Sequence, residues 1–314
     1  MWGAVRTMIP RSYQLIPVGE DAFEFEVMIY RNTLSDRKPL LVLHSIEFPA
    51  APSATFCEFM WQNGYQVIFA RRSGYGRSSP LPKTLIKDKP IKTGATAIAE
   101  AAMLRALITR LGLSNVVILA VGSANPVAFR LAQIASEIKF SVFVNPMFNQ
   151  EVWSVFTPAW FRTMLKQTIA SKAGLHIATQ GTKLLIRREP IEFYKHILQK
   201  NPDDLEYVDR NEADYYEAGA LALKTDPSLV YYDARMCLSH DPLLKDGFFE
   251  GIDAAILIGK NTADLWRTEM EREASRLKLP IMLAPRGDIF CAYVSPETVL
   301  ETIALKTRTP VLTQ

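Results

Sequence analysis

Residues 115–133 read Asn-Val-Val-Ile-Leu-Ala-Val-Gly-Ser-Ala-Asn-Pro-Val-Ala-Phe-Arg-Leu-Ala-Gln, and this stretch indicates the fold. Positions 116–121 form a short apolar run rich in β-branched residues, which is typical of a buried strand. The residues after Pro126 are apolar at helical spacing, and proline suits the first turn of a helix. Gly122, Ser123 and Ala124 lie between and are all small. The stretch therefore predicts a buried strand, a sharp turn and a helix.

Apolar runs and helical patterns alternate in both halves of the chain. Strand–helix–strand order predicts parallel strands joined by right-handed crossovers. Alternation of apolar and polar residues near the N-terminus also predicts an antiparallel hairpin at one sheet edge. The sequence thus predicts an α/β protein with a mostly parallel, doubly wound sheet. The predicted strands span residues 12–18, 23–30, 39–45, 65–70, 116–121, 140–144, 254–259 and 280–285.

The strand, small-residue turn and helix resemble the nucleophile elbow of the α/β hydrolases, whose pattern is G-x-S-x-G. Two loops extend the resemblance. Gly74-Tyr-Gly-Arg-Ser, directly after a predicted strand, resembles the family's R-G-x-G-x-S loop, and His44-Ser45 resembles its H-G, with serine for glycine. The resemblance covers about residues 39–144 and 254–305, and it implies an α/β-hydrolase fold.

Residues 150–244 differ in character, because they have aromatic residues and helical spacing but no convincing buried strand. This segment resembles the helical cap inserted after the sixth strand in many family members. We therefore expect a core formed by residues 1–149 and 245–314, with a cap at 150–244.

Charges within this predicted cap are segregated, with an excess of Lys and Arg over residues 153–200 and of Asp and Glu over 201–217. We expect the two blocks to pair in solvated helices, although a basic surface facing an acidic ligand or partner is an alternative. Trp160 begins an apolar stripe that lines either a pocket under the cap or plain core.

The resemblance also locates the places of the family's catalytic triad. Counting back from the helix puts Gly122 in the nucleophile's place, with Ser123 one residue late. Thr262 lies nearest the acid's place, with Asp264 two residues beyond. Asp288 or Ile289 occupies the base's place, and the chain has no histidine C-terminal to residue 240. Efficient serine hydrolysis by the family's route is therefore not expected.

Our first hypothesis is a protein that keeps the hydrolase scaffold but has lost the triad, and that acts as a small-molecule binding or regulatory protein. Its ligand would occupy a pocket between core and cap. The candidate ligand-binding residues are His44, Ser45, Gly122, Ser123, Trp160, Asp288 and Phe290.

The alternative hypothesis is a divergent enzyme of esterase or lyase type. It would use Ser123 or His44, with Asp264 as a candidate acid. His44 would lie near the usual oxyanion hole, or would simply be a loop histidine that satisfies backbone carbonyls. A third hypothesis, a partner-binding scaffold, predicts a broad exposed apolar patch instead of a pocket.

Composition and the missing motifs argue against several other classes of protein. The chain has 314 residues, 48% of them hydrophobic, and a net charge of +3, which is too mild to predict nucleic-acid binding. Three scattered cysteines, at positions 57, 237 and 291, predict neither disulfides nor zinc and favour a cytoplasmic setting. No apolar run approaches the ~20 residues of a membrane span. Nucleotide-binding motifs are missing, so we expect no cofactor and no metal. Homodimer formation is left open.

Overall fold

The computed structural model describes residues 12–19, 23–46, 48–82, 94–148, 160, 163, 167, 171–198, 201–226 and 244–305. Within these residues the chain forms an eight-stranded sheet. The strands in chain order are β1 (Tyr13–Val18), β2 (Phe23–Ile29), β3 (Lys38–Leu43), β4 (Tyr65–Ala70), β5 (Val116–Val121), β6 (Ile138–Val144), β7 (Ala254–Gly259) and β8 (Ile281–Ala284).

The strand order across the sheet is β1-β2-β4-β3-β5-β6-β7-β8. Strand β2 pairs antiparallel with β1 and with β4, and every other pair is parallel. The predicted edge hairpin and the mostly parallel sheet are therefore confirmed. Leu43 pairs with Ala70 and Ala120, and Val121 pairs with Val144. This register brings the loops after β3, β4, β5 and β6 to one edge of the sheet, where the predicted site residues lie.

Helices cover the sheet, and four of the described helices lie between β6 and β7 in the chain. None of those in the described part of the chain combines the length and the apolar character that crossing a bilayer would require. The helices are α1 (Ala54–Gln62), α2 (Gly94–Arg110), α3 (Asn125–Ile134), α4 (Lys172–Arg188), α5 (Pro190–Leu198), α6 (Pro202–Arg210), α7 (Glu212–Lys224), α8 (Asp264–Leu277), α9 (Cys291–Val294) and α10 (Pro296–Ala304). We call α4–α7 the cap helices.

Both faces of the sheet are buried, as expected for parallel strands between helices. Alternate residues of β5 belong to two separate apolar clusters, Ile118 to the first and Leu119 to the second. The first cluster includes residues of α2, α3 and α8. The second includes residues of α1, α9 and α10, together with Tyr207 and Tyr215 from the cap helices. The cap helices thus share a core with the sheet.

Helix α10 begins without a side-chain cap. Ser295 occupies the N-cap position of α10, but its hydroxyl makes no capping hydrogen bond and has no partner among the described residues. The N–H of Thr298, which a capping hydroxyl would satisfy, donates instead to the backbone carbonyl of Ser295 at 3.1 Å.

The acidic block pairs mainly with the core. Arg286, in the loop after β8, donates to Asp203 at 2.8 Å and to Glu206 at 2.7 Å. Buried Arg71 forms an ion pair with Glu217. Among the described side chains of the basic block, Lys195 alone pairs with the acidic block, at Asp209. The expected pairing is found at Lys195 and Asp209, whereas Asp203, Glu206 and Glu217 pair with arginines of the core instead.

Candidate active site

The predicted elbow forms where β5 ends. A 3₁₀ turn spans Gly122–Ala124 and leads directly into α3. Gly122 has a left-handed φ of +52°, which is the strained position of such a strand-to-helix turn. The amide of Asn125 fixes the turn by donating to the carbonyls of Gly122 at 2.7 Å and Val144 at 3.0 Å. The residue at the strained position therefore has no side chain to present as a nucleophile.

Ser123 follows immediately and points inward. Its side chain is buried, and its Oγ accepts the N–H of Ile46 at 2.8 Å. Ile46 lies in the loop after β3, from which α/β hydrolases supply one donor of the oxyanion hole. The hydroxyl of Ser123 thus accepts the hydrogen bond of the Ile46 N–H, a backbone donor that a hydrolase would direct at its substrate.

His44, at the end of β3, is fully engaged by the backbone. Its Nε2 accepts the N–H of Arg72 at 3.0 Å, so its Nδ1 carries the proton and donates to the carbonyl of Ser45 at 2.8 Å. Burial, followed by the nearby Arg72 guanidinium, lowers the pKa of His44 to about 3. The imidazole stays neutral and has no free nitrogen for Ser123. His44 therefore acts as a loop histidine that satisfies backbone groups, which is the second of the two roles considered for it.

The residues after β7 and β8 form a polar cluster of their own. Thr262 donates its hydroxyl to Asp288 Oδ1 at 2.7 Å, and Asn145 donates to the same oxygen at 3.0 Å. Asn145 also accepts the N–H of Gly259 at 3.1 Å, which ties the ends of β6, β7 and β8 together. Burial raises the pKa of Asp288 despite these bonds. Asp264 is exposed at the start of α8 and makes no hydrogen bond to this cluster.

A cap residue that the sequence analysis did not single out completes the cluster. Asp204, at the start of α6, is fully buried and accepts the N–H groups of Asp288 at 3.2 Å and Ile289 at 2.9 Å, and also that of Phe290. Burial, together with the Asp288 carboxylate, raises the pKa of Asp204 to about 7. Asn201 and Pro202 mark a helix start in the sequence, but nothing local indicates a partner 84 residues away.

Aromatic rings fill the junction between the core and the cap helices. Phe48 packs on Tyr215 with ring centroids 4.6 Å apart and on Phe290 at 5.2 Å, and Tyr207 stacks on Phe290 at 5.1 Å. The predicted residue Phe290 therefore lies at this junction. Trp160, by contrast, is 67% exposed.

Six buried hydroxyls have no hydrogen-bond partner among the described residues, and two of them lie beside the elbow or at the junction between the core and the cap helices. These two are the Oγ of Ser45 and the phenol of Tyr215, which are 3% and 0% exposed. A Cβ built on Gly122 would lie 3.2 Å from the Cβ of Ser45, so Ser45 adjoins the elbow. Unpaired buried hydroxyls are uncommon because each loses its hydrogen bonds to water.

Solved structures with the same architecture identify the fold. An esterase from Exiguobacterium antarcticum matches at a TM-score of 0.60 and 14% identity, over 94% of this chain and 99% of that one. A putative epoxide hydrolase from Klebsiella pneumoniae matches at 0.62 and 15%, over 95% and 97%. An α/β-hydrolase-fold protein from Nakamurella multipartita matches at 0.55 and 16%, over 94% and 98%. This chain therefore has the α/β-hydrolase fold. No protein-family model and no curated protein sequence matches it.

Proposed function

We propose that this protein uses the α/β-hydrolase fold to bind a small molecule between its core and a helical cap at residues 150–244, without serine hydrolysis. The observation that carries the proposal is Gly122 at the strained position of the elbow, where a hydrolase needs its nucleophile. A glycine there offers no oxygen to attack an ester.

The neighbouring groups do not replace the missing machinery. Ser123 accepts a backbone N–H, and both nitrogens of His44 are hydrogen-bonded to the backbone. In the places of the triad's acid and base, a threonine donates to a half-buried aspartate, Thr262 to Asp288. This pair contains no imidazole to take a proton from a serine, so general base catalysis by the family's route has no agent.

The binding part of the proposal rests on the unpaired hydroxyls. Ser45 and Tyr215 are buried without hydrogen-bond partners among the described residues, and the Tyr215 ring packs on Phe48, three residues beyond Ser45. Ligand sites in proteins combine apolar and aromatic walls with a few convergent polar groups. A ligand with one apolar ring or chain and one or two hydrogen-bonding groups fits this chemistry. The rings now pack together, so the cap helices must shift to admit it.

Tyr215→Phe tests this site because it removes one hydroxyl and keeps the ring. We would screen small aromatic alcohols, carboxylic acids and esters by ligand-observed NMR against the wild type. For the compounds that bind, we expect Tyr215→Phe to weaken affinity about tenfold, the value of one buried hydrogen bond. Tyr216→Phe is the matched control, since Tyr216 is 55% exposed, and it should leave affinity unchanged. A screen without binders, or equal affinity in both variants, would reject the proposed site.

A further inference from the structure

Helix α4 has apolar side chains on the face that points to solvent. Ile177 is 72% exposed, Leu184 53% and Leu185 57%. Ile177 and Leu184 are seven residues apart and therefore share one face of the helix. Ile186 is buried on the opposite side. The helix thus has one apolar side within the protein and a second apolar side in water, and the second has no partner among the described residues.

Positive charge accompanies this outer apolar face. Residues 172–188 contain four Lys or Arg and no Asp or Glu. Arg187 and Arg188 are exposed in the last turn. Arg188 follows Leu184 by four residues and so lies on the same side of the helix as the apolar face. At 100° per residue, Arg187 lies about 80° around the helix from Ile177. The exposed face is therefore aliphatic in the middle and cationic at one flank and one end.

We propose that α4 docks this face on an anionic membrane surface, with the helix lying in the plane of the headgroups. Interfacial helices combine an apolar face, which enters the headgroup–acyl boundary, with Lys and Arg that pair with anionic lipids. The outer face of α4 has both features and no carboxylate to repel such lipids. The inference is independent of the ligand site proposed above.

A second copy of the chain fits the face less well. A twofold dimer would place the same patch on both sides of the interface. Since residues 172–188 contain four Lys or Arg and no carboxylate, a twofold contact between two copies of this helix would pair no opposite charges. An anionic surface complements this charge instead.

Docking would also restrain the cap helices. Lys183 of α4 donates to the backbone carbonyl of Thr225 at 2.6 Å, directly after α7, and α4 packs against both α5 and α7. Helix α7 carries Tyr215. A membrane-bound α4 therefore holds the element that lies over the proposed ligand site.

Vesicle sedimentation tests the proposal directly. We expect the purified full chain to bind vesicles of phosphatidylcholine with about 30% phosphatidylserine about tenfold more strongly than pure phosphatidylcholine, and to lose this difference at high salt. The double variant Ile177→Asp/Leu184→Asp should lose binding and still fold, since both side chains are exposed. Leu265→Asp, at a 57% exposed leucine of α8, is the matched control and should bind like the wild type.

A fluorescent probe reports whether α4 itself enters the interface. In a Cys237→Ser background, Ile177→Cys is labelled with an environment-sensitive dye, because Cys57 and Cys291 are buried. Anionic vesicles should shift its emission to the blue and leave a label at Leu265→Cys unchanged. The proposal is overturned by equal vesicle binding of the double variant and the wild type, by an unshifted label at position 177, or by a dimer in light scattering that the double variant abolishes.

Discussion

Replacing Arg72 by methionine is expected to lower the free energy of unfolding by about 3–5 kcal/mol, the usual cost of removing one partner of a buried ion pair. Arg72 is 1% exposed, and its guanidinium donates to Glu100 at 2.9 Å. Glu100 is itself buried and also accepts the N–H of Ser73 at 2.9 Å. Without the arginine, a carboxylate stays in the protein interior without its cation. The backbone N–H of Arg72 also donates to His44, so losing the Arg72 side chain should loosen the loop behind the elbow.

Urea unfolding followed by circular dichroism measures this effect. The double variant Arg72→Met/Glu100→Leu should recover most of the lost stability, because it removes the isolated charge as well. Arg105→Met is the surface control, since Arg105 is 47% exposed and lies 3.8 Å from Glu137, and it should change stability by less than about 1 kcal/mol. An Arg72→Met variant no less stable than Arg105→Met would show that the buried pair does not hold this loop.

Asp204→Asn is expected to remove a pH dependence from the stability of the fold. Burial raises the pKa of Asp204 from 3.8 to about 7. The folded state therefore binds a proton that the unfolded state has released, and the contribution of Asp204 to stability falls as the pH rises from about 4 to about 7. At about 1.4 kcal/mol per pKa unit, wild type should lose roughly 2–4 kcal/mol relative to Asp204→Asn across this window.

The comparison needs a control, since other carboxylates also titrate. The pKa of Asp203 lies below its usual value. Burial alone would raise this pKa, but hydrogen bonds from Arg286 and from the N–H of Gly287 outweigh that effect. Its contribution therefore has the opposite sign, present above pH 4 and lost as the pH falls. Unfolding free energies of wild type, Asp204→Asn and Asp203→Asn at pH 4, 5.5, 7 and 8 separate the two effects. If the difference between wild type and Asp204→Asn stays constant with pH, Asp204 is not a buried proton acceptor.

The fold could be predicted from the sequence because its main signals are local. Buried strands appear as short apolar runs. Counting back from the helix placed Gly122 at the turn, where the structure has a left-handed φ. Small residues between an apolar run and a helix are enough to predict that turn. The hairpin of β1 and β2 was likewise visible in residue alternation.

The site could not be predicted in the same way, because its contacts join distant loops. Ser123 and Ile46 are 77 residues apart, and Arg72 and His44 are 28 apart. The sequence showed which polar side chains stand at the sheet edge but not which backbone groups they satisfy. The acidic block was assigned to neighbouring lysines and arginines, whereas most of its described partners are core arginines such as Arg286. Register and loop path, which place these groups, depend on the whole fold.

The rate of ester hydrolysis by the purified chain shows whether the fold still carries out serine hydrolysis. We expect short p-nitrophenyl and aryl esters to be hydrolysed at the uncatalysed rate, with no change in Ser123→Ala or His44→Asn. We expect no covalent labelling by a fluorophosphonate. Turnover on the order of 1 s⁻¹, near the low end for enzymes, together with fluorophosphonate labelling that Ser123→Ala abolishes, would contradict this expectation.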